Sequence, residues 1–334
     1  MSNLKVSLLG GGSWGTTVAS LVTRNAPVTL WARNSETVTE INERHTNETY
    51  LPGASLPEKL VATDDIGEAV ANADVVIMGI PSHNFRSVLE EVRKHIRAWV
   101  PVISLTKGLE LKTRMRMTEI ITEVLPGHPV GVLTGPNLAR EIMAGQAAAS
   151  VIAMEDEIIV RELQNVFKSG LFRVYTNTDV IGCELGGVLK NIIAIAVGMG
   201  DGQGAGDNTR AALITRGLAE VTRLGVAMGG RPETFAGLAG MGDMIATCTS
   251  PQSRNRHVGI ELGKGRDMQD IIDDMVMVAE GAKSAPAVMA LAEQYGVEMP
   301  IARDVYRVVS GETNARGAYR GLLRVSAGAE SDPG

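Results

Sequence analysis

Hydrophobic positions follow two different rhythms along this 334-residue chain. In the first half they gather into short runs at residues 5–9, 28–32, 59–62, 73–80, 100–105, 130–133, 149–153 and 172–175. Residues 73–80, Ala73-Asp74-Val75-Val76-Ile77-Met78-Gly79-Ile80, are nearly continuous, as in a strand covered on both faces of a parallel sheet. Between such runs, residues 34–44 and 66–71 read as helices, the second capped by Asp64 or Asp65. Pro52, Gly53 and Pro57 mark a loop. Around residues 176–179 the rhythm changes. Residues 181–198, 208–224 and 270–294 carry apolar side chains at helical spacing, and strand-like runs largely disappear. Strands alternating with helices, then helices alone, predict an α/β doubly wound sheet over 1–178 and an all-α domain over 179–326. Residues 327–334 are small and polar and are expected to fray.

In such a sheet, ligands sit beyond the carboxyl ends of the strands. The residues that follow each run therefore matter: Gly10 to Gly15, Arg33, Pro81-Ser82, Lys107 and Gly135 to Asn137. Gly10-Gly11-Gly12-Ser13-Trp14-Gly15 joins the first run to the helical pattern Val18, Leu21, Val22. Gly10 permits the tight turn, Gly12 leaves room for a pyrophosphate, and Gly15 lets the helix lie close on the strand. The N–H groups that open the helix face the anion. Glycines also simply punctuate turns, but the strand–turn–helix order favours dinucleotide binding in a Rossmann-type sheet. About 20 positions on, a carboxylate normally reads the ribose of NAD. Arg33 stands there instead. Arginine cannot accept from a 2′-hydroxyl, but it pairs with a 2′-phosphate or stacks on adenine. This points to NADPH, with NADH as the alternative and a solvated strand-end arginine as the plainer reading.

Composition excludes several other classes. Hydrophobic residues make up 44% of the chain, enough for a substantial core, and the net charge of −6 supplies no basic field for nucleic acid. Aromatics at 4% leave few stacking platforms for single strands. Cys183 and Cys248 lie in apolar or small-residue surroundings and suit a reducing cytoplasm. The N-terminal residues read as a strand rather than a leader, and no charge-free run of 18 apolar residues predicts a membrane span. Asn47-Glu48-Thr49 matches a glycosylation sequon, read here as incidental. His45, His83, His95, His128 and His257 have no ligand spacing, so no metal site is expected.

The helical half carries the remaining chemistry. On a projection at about 100° per residue, Ile181, Leu185, Val188, Leu189, Ile192 and Ala196 share one face. Lys190 lies opposite, among Cys183, Gly187, Ala194 and Gly198. By projection alone it reads as a solvated lysine. A desolvated one would exchange a proton near neutral pH. Residues 201–208 and 237–243 are glycine-rich and end in polar groups, Asp243 among them. Ser253-Arg254-Asn255-Arg256 combines two donors with a guanidinium fork, either an anion site or an ordinary polar cap.

Several stretches together resemble the bacterial NAD(P)-dependent glycerol-3-phosphate dehydrogenase family, end to end except for the tail. They are the glycine turn, Thr106 to Glu110, Gly135 to Ala139, Gly187 to Asn191, Gly206 to Ala212, Gly237 to Asp243, Ser253 to Arg256 and Val278 to Gly281. The resemblance implies that Lys190 accepts the proton when sn-glycerol 3-phosphate is oxidised, and donates it when dihydroxyacetone phosphate is reduced. It implies substrate contacts at Lys107, Gly135, Asn137, Lys190, Asp243, Ser253, Arg254 and Asn255. It implies cofactor contacts at Gly10, Gly12, Ser13, Trp14, Gly15, Arg33, Lys107, Ala139, Arg254, Val278 and Glu280. Asn137 replaces the family's Ser or Thr and bears on one substrate hydrogen bond. Leu138 replaces an aromatic residue and bears on packing. The implied role is to feed glycerophospholipid synthesis in the cytoplasm, on a small-molecule substrate, with a homodimer left open. The rival readings are a related β-hydroxyacid or sugar-phosphate dehydrogenase, differing at Ser253 to Asn255, and a non-catalytic NAD(P) sensor. A sensor has no need of both Lys190 and Asp243.

Overall fold

The computed structural model describes residues 4–275 and 279–322. The expected cofactor contact Val278 and the expected frayed tail lie outside the described residues. The chain divides into two compact units, one of residues 1–107 and 115–180, the other of residues 108–114 and 181–334.

The first unit is a sheet of eight strands: β1 Val6–Leu9, β2 Val28–Trp31, β3 Val61–Thr63, β4 Val75–Met78, β5 Val102–Ser104, β6 Val130–Thr134, β7 Ala148–Met154 and β8 Phe172–Asn177. Their order is β3-β2-β1-β4-β5-β6-β7-β8. The helices between them are α1 Ser13–Val22, α2 Ser35–Arg44, α3 Ile66–Ala71, α4 Ser82–Val92, α5 Met117–Val124, α6 Ala139–Met143 and α7 Glu157–Phe167. Strand residues alternate between two cores. Val6, Leu8, Val75 and Ile77 pack with α1 and α7 side chains such as Val18 and Leu163. Leu9, Val76 and Met78 pack with Phe85, Leu89 and Ile120 of α4 and α5. This double covering is why the strands read as continuous apolar runs. Each fully buried Leu, Ile or Phe contributes roughly 1.5–3 kcal/mol.

Among the described residues, β7 pairs antiparallel with β6, while β7 and β8 are parallel to each other. The sheet is therefore mixed. The five-residue helix α6 between β6 and β7 spans about 7.5 Å, too short to carry the chain back along a strand.

The second unit is helical in its described residues. It comprises α8 Val180–Gly202, α9 Asp207–Ala227, α10 Pro232–Phe235, α11 Asp243–Thr249, α12 Arg254–Gly263, α13 Met268–Asp273, α14 Glu280–Gln294, α15 Pro300–Val309 and α16 Ala315–Leu322. By length and composition α8 could cross a membrane, but it is the central core helix here, with 89% of its most apolar window buried inside the protein. Lys190 is correspondingly buried, not solvated as its projection alone suggested.

The helix expected over 270–294 is interrupted: α13 ends at Asp273, and Ala279, with extended backbone, precedes a new start at Glu280. A tertiary contact fixes that start, because the Gly281 N–H donates to Asn255 Oδ1 on α12 at 3.0 Å. Helices α8 and α12 cross backbone to backbone at two glycine pairs. A Cβ on Gly198 would lie 2.1 Å from the Arg256 carbonyl oxygen, and one on Gly259 2.1 Å from that of Ile195. Gly202 and Gly263 repeat the pattern one turn on.

Candidate active site

In the first unit the strand order reverses direction between β1 and β4, which is where open α/β sheets bind ligands. Both strands end there in glycine. Gly10 has φ +124°, and a Cβ on it would lie 2.4 Å from the Gly79 carbonyl oxygen. A Cβ on Gly15 would lie 2.0 Å from the Gly10 carbonyl oxygen, so neither position admits a side chain. Gly12 differs: nothing lies within 4 Å of where its Cβ would project. It precedes α1 without a side-chain cap, so the opening N–H groups of Ser13 and Trp14 face that space. The Trp14 ring packs edge-on against Phe172 at 6.4 Å, while its buried Nε1 has no hydrogen-bond partner among the described residues. An open cradle at a helix start whose N–H groups are uncapped fits a dinucleotide.

Asn47 supports this turn and was passed over in the sequence as a chance sequon. It is fully buried, and its amide donates to the Gly11 carbonyl at 2.9 Å and to Thr16 Oγ1 at 3.0 Å. No local pattern marks it, since it reaches the turn from 36 residues away.

Arg33 is exposed just beyond β2. Lys107, beyond β5, donates from Nζ to the Gly135 carbonyl at 2.9 Å. Gly135 has φ +127° and sits 3.1 Å, at its would-be Cβ, from the Ser150 backbone. Asn137 accepts a hydrogen bond at Oδ1 from the Ser150 hydroxyl. Its Nδ2 is buried and unpartnered among the described residues. Asn137 thus presents an amide donor beyond the end of β6. Ala139 opens α6.

In the second unit, Lys190 Nζ lies 2.8 Å from Asp243 Oδ1, with both side chains almost fully buried. A π-helical turn, Leu238–Gly242, delivers Asp243 to this position, its Gly242 N–H reaching the Gly237 carbonyl at 3.0 Å. Lys190 also donates to Thr247 Oγ1, which donates in turn to the Asp243 carbonyl at 2.7 Å. No local pattern marks Thr247, because its hydroxyl meets Lys190 from 57 residues away. Beside the pair, burial pushes the Cys248 thiol up to about 12, although the Lys190 charge opposes this, so Cys248 stays protonated.

Ser253 is the N-cap of α12, its hydroxyl accepting from the Arg256 N–H at 3.2 Å. Asn255 is buried and bridges three elements. Its Nδ2 donates to Asn191 Oδ1 at 3.0 Å, and its Oδ1 accepts from the Gly281 N–H beside Glu280. Solvent reaches Arg254, yet crowding by neighbouring protein atoms holds its guanidinium below the ordinary arginine pKa, an effect the Glu280 charge partly offsets. Asp201 of α8 clamps α12 through Arg256 at 2.7 Å and holds Arg210 at 2.9 Å. Lys190, Asp243, Asn255 and Glu280 are therefore linked within one unit, and the glycine turn, Lys107, Gly135 and Asn137 belong to the other.

A nucleotide cradle on the parallel part of a mixed sheet and a buried ammonium–carboxylate pair on a helical unit define a nicotinamide-dependent dehydrogenase. The N-terminal model of NAD-dependent glycerol-3-phosphate dehydrogenase matches residues 5–160, and the C-terminal model matches residues 179–320. A glycerol-3-phosphate dehydrogenase [NAD(P)+] of Sphingopyxis alaskensis is 73% identical over 99% of each chain. One of Mycobacterium avium is 54% identical over 97% of this chain and 95% of the other. The crystal structure of glycerol-3-phosphate dehydrogenase from Coxiella burnetii has a TM-score of 0.93 at 37% identity, covering 97% of this chain and 99% of that one. The chain belongs to the NAD-dependent glycerol-3-phosphate dehydrogenase family.

Proposed function

We propose that Lys190 is the proton donor and acceptor in a reversible, NAD(P)-linked interconversion of dihydroxyacetone phosphate and sn-glycerol 3-phosphate. The buried Lys190–Asp243 pair is the observation that supports this role. When bound, the nicotinamide supplies or accepts the hydride at substrate C2. As charge develops on the C2 oxygen, an ammonium held in a dry site stabilises it and passes a proton to it; the reverse reaction returns that proton. Asp243 and Thr247 hold the ammonium in one orientation, so little reorganisation is required as the reaction proceeds.

The Arg254 fork, with Ser253 and Asn255, grips the substrate phosphate, and that remote contact aligns C2. Asn137 Nδ2, Lys107 and the Gly135 backbone supply further substrate contacts. Gly10, Gly12, Ser13, Trp14 and Gly15 hold the pyrophosphate half of the cofactor, with Arg33, Lys107, Ala139, Arg254, Val278 and Glu280 as its other contacts. In the cell the favoured direction is reduction in the cytoplasm, feeding glycerophospholipid synthesis, and light scattering would test a homodimer.

The direct test is loss of reduced-nicotinamide absorbance with dihydroxyacetone phosphate, using NADPH and NADH in parallel. Turnover with either establishes the reaction. Turnover only with another keto acid or sugar phosphate points to a related dehydrogenase, and cofactor binding without turnover points to a sensor. Lys190→Ala should abolish most turnover while NADPH still binds; surviving activity would remove Lys190 from the proton-transfer role.

A further inference from the structure

The carboxylate that usually closes the ribose pocket is missing from the end of β2, where Arg33 and Asn34 stand. A carboxylate nevertheless reaches that corner from the neighbouring strand. β3 pairs with β2 in the register Trp31↔Thr63, and the Ala32 N–H donates to the Thr63 carbonyl at 3.0 Å. Asp64 is the next residue, exposed at the carboxyl end of the sheet. Its backbone is tied to β2, because Trp31 Nε1 donates to the Asp64 carbonyl at 3.0 Å. Its side chain leans towards the start of α2, where Ser35 Oγ donates to Asp64 Oδ2 at 2.6 Å. Asn34 Oδ1 takes the Glu36 N–H at 2.7 Å and so fixes that helix start.

We infer that Asp64, acting with Ser35, reads the 2′ position of the cofactor's adenosine ribose and opposes the NADPH preference set by Arg33. The inference rests on the first unit binding NAD(P) at the glycine turn. A 2′-hydroxyl can donate to the Asp64 carboxylate. A 2′-phosphate meets a like charge there, and it also finds the Ser35 proton already engaged by Asp64. Arg33 acts in the opposite direction: it pairs by charge with a 2′-phosphate, whereas to a 2′-hydroxyl it can only donate a neutral-acceptor hydrogen bond and cannot take that group's proton. A cation from β2 and a carboxylate from β3 together make a site that accepts both cofactors.

The test is calorimetric binding of NADPH, NADH and the fragments adenosine 2′,5′-bisphosphate and adenosine 5′-monophosphate to the full chain. Asp64→Asn keeps the side chain's shape but removes its charge. It should raise the NADPH-to-NADH affinity ratio about tenfold, the order expected for one unit charge facing a phosphate dianion about 6 Å away in water. The two fragments should shift by a similar factor, without any turnover being needed. Adding Ser35→Ala should take back part of that gain, and Arg33→Ala should lower the ratio. An unchanged ratio in Asp64→Asn overturns the inference. Equal weakening of both cofactors also overturns it, because that is what a purely structural tie between β3 and α2 would produce. If the parent protein binds neither cofactor, the nucleotide site itself has been misread and both conclusions fall. Binding of both with an unmoved ratio removes only Asp64.

Discussion

Gly259→Ala should disable the enzyme from a position with no part in its chemistry. Helix α12 carries Ser253, Arg254 and Asn255 at its start and crosses α8, which carries Lys190 and Asn191. A Cβ on Gly259 would lie 2.1 Å from the Ile195 carbonyl oxygen, 2.8 Å from Gly198 Cα and 2.8 Å from the Met199 nitrogen. All three are main-chain atoms, so no rotamer change relieves the clash. Reaching van der Waals contact requires the helices to separate by roughly 1 Å. Overpacking of this kind costs about 1–3 kcal/mol. A 1 Å retreat also stretches the 3.0 Å Asn255–Asn191 bond and the 2.7 Å Arg256–Asp201 contact beyond hydrogen-bond length, leaving the second as a weakened ion pair. Each lost hydrogen bond adds about 1 kcal/mol. The expected loss is therefore on the order of 3–5 kcal/mol, with a fall in kcat/KM for dihydroxyacetone phosphate because the phosphate grip moves away from Lys190.

Urea unfolding followed by circular dichroism, together with steady-state kinetics, measures both effects. Gly200→Ala is the control. It makes the same chemical change on α8, but its Cβ meets only the Ala205 and Leu213 side chains, at 3.5 and 3.6 Å. That variant should be neutral, or more stable by up to about 1 kcal/mol through better helix propensity. If Gly259→Ala matches the parent in both stability and kcat/KM, the backbone-to-backbone crossing does not set the geometry of this site.

Glu220 gives a pH signature. Burial raises its carboxyl from 4.5 to about 7, although the Ile301 and Ala302 N–H groups, which donate to it at 2.7 and 3.2 Å, oppose this. A folded pKa above the unfolded one means that stability falls as pH rises from about 4.5 to about 7. The contribution is about 3 kcal/mol, and Glu220→Gln should flatten that part of a stability-against-pH curve. Lys190→Ala strands the buried Asp243 carboxylate, so it should lower stability by about 3–5 kcal/mol beyond its loss of turnover, measurable as a shifted urea midpoint. Arg33→Asp should move the ratio of rates with NADPH and NADH towards NADH; an unchanged ratio removes Arg33 from cofactor choice. Cys248 should resist a thiol-alkylating reagent in the native protein and react on unfolding, as mass spectrometry would show.

The sequence by itself determined what depends on neighbouring residues. Strands covered on both faces are apolar throughout, so most of the sheet could be read from runs such as Val75 to Met78. The turn at Gly10 to Gly15 was equally legible, because the close approach of backbone to backbone excludes a Cβ at Gly10 and at Gly15. The tertiary structure decided what depends on distant partners. The direction of β7 follows from the short span of α6, which no strand propensity encodes. The gap between α13 and α14 follows from a hydrogen bond that Asn255 makes to Gly281, 26 residues away. Lys190 looked like a wet-face lysine because a projection shows one helix at a time. Packing around α8 buries that face, and only then do Asp243 and Thr247 become its partners. Asn47 and Asp201 were silent for the same reason, and Asp64, read only as one of two candidate caps for residues 66–71, instead meets Trp31 and Ser35 of the neighbouring strand and helix: each acts on residues that chain folding, and not local spacing, brings within hydrogen-bond reach.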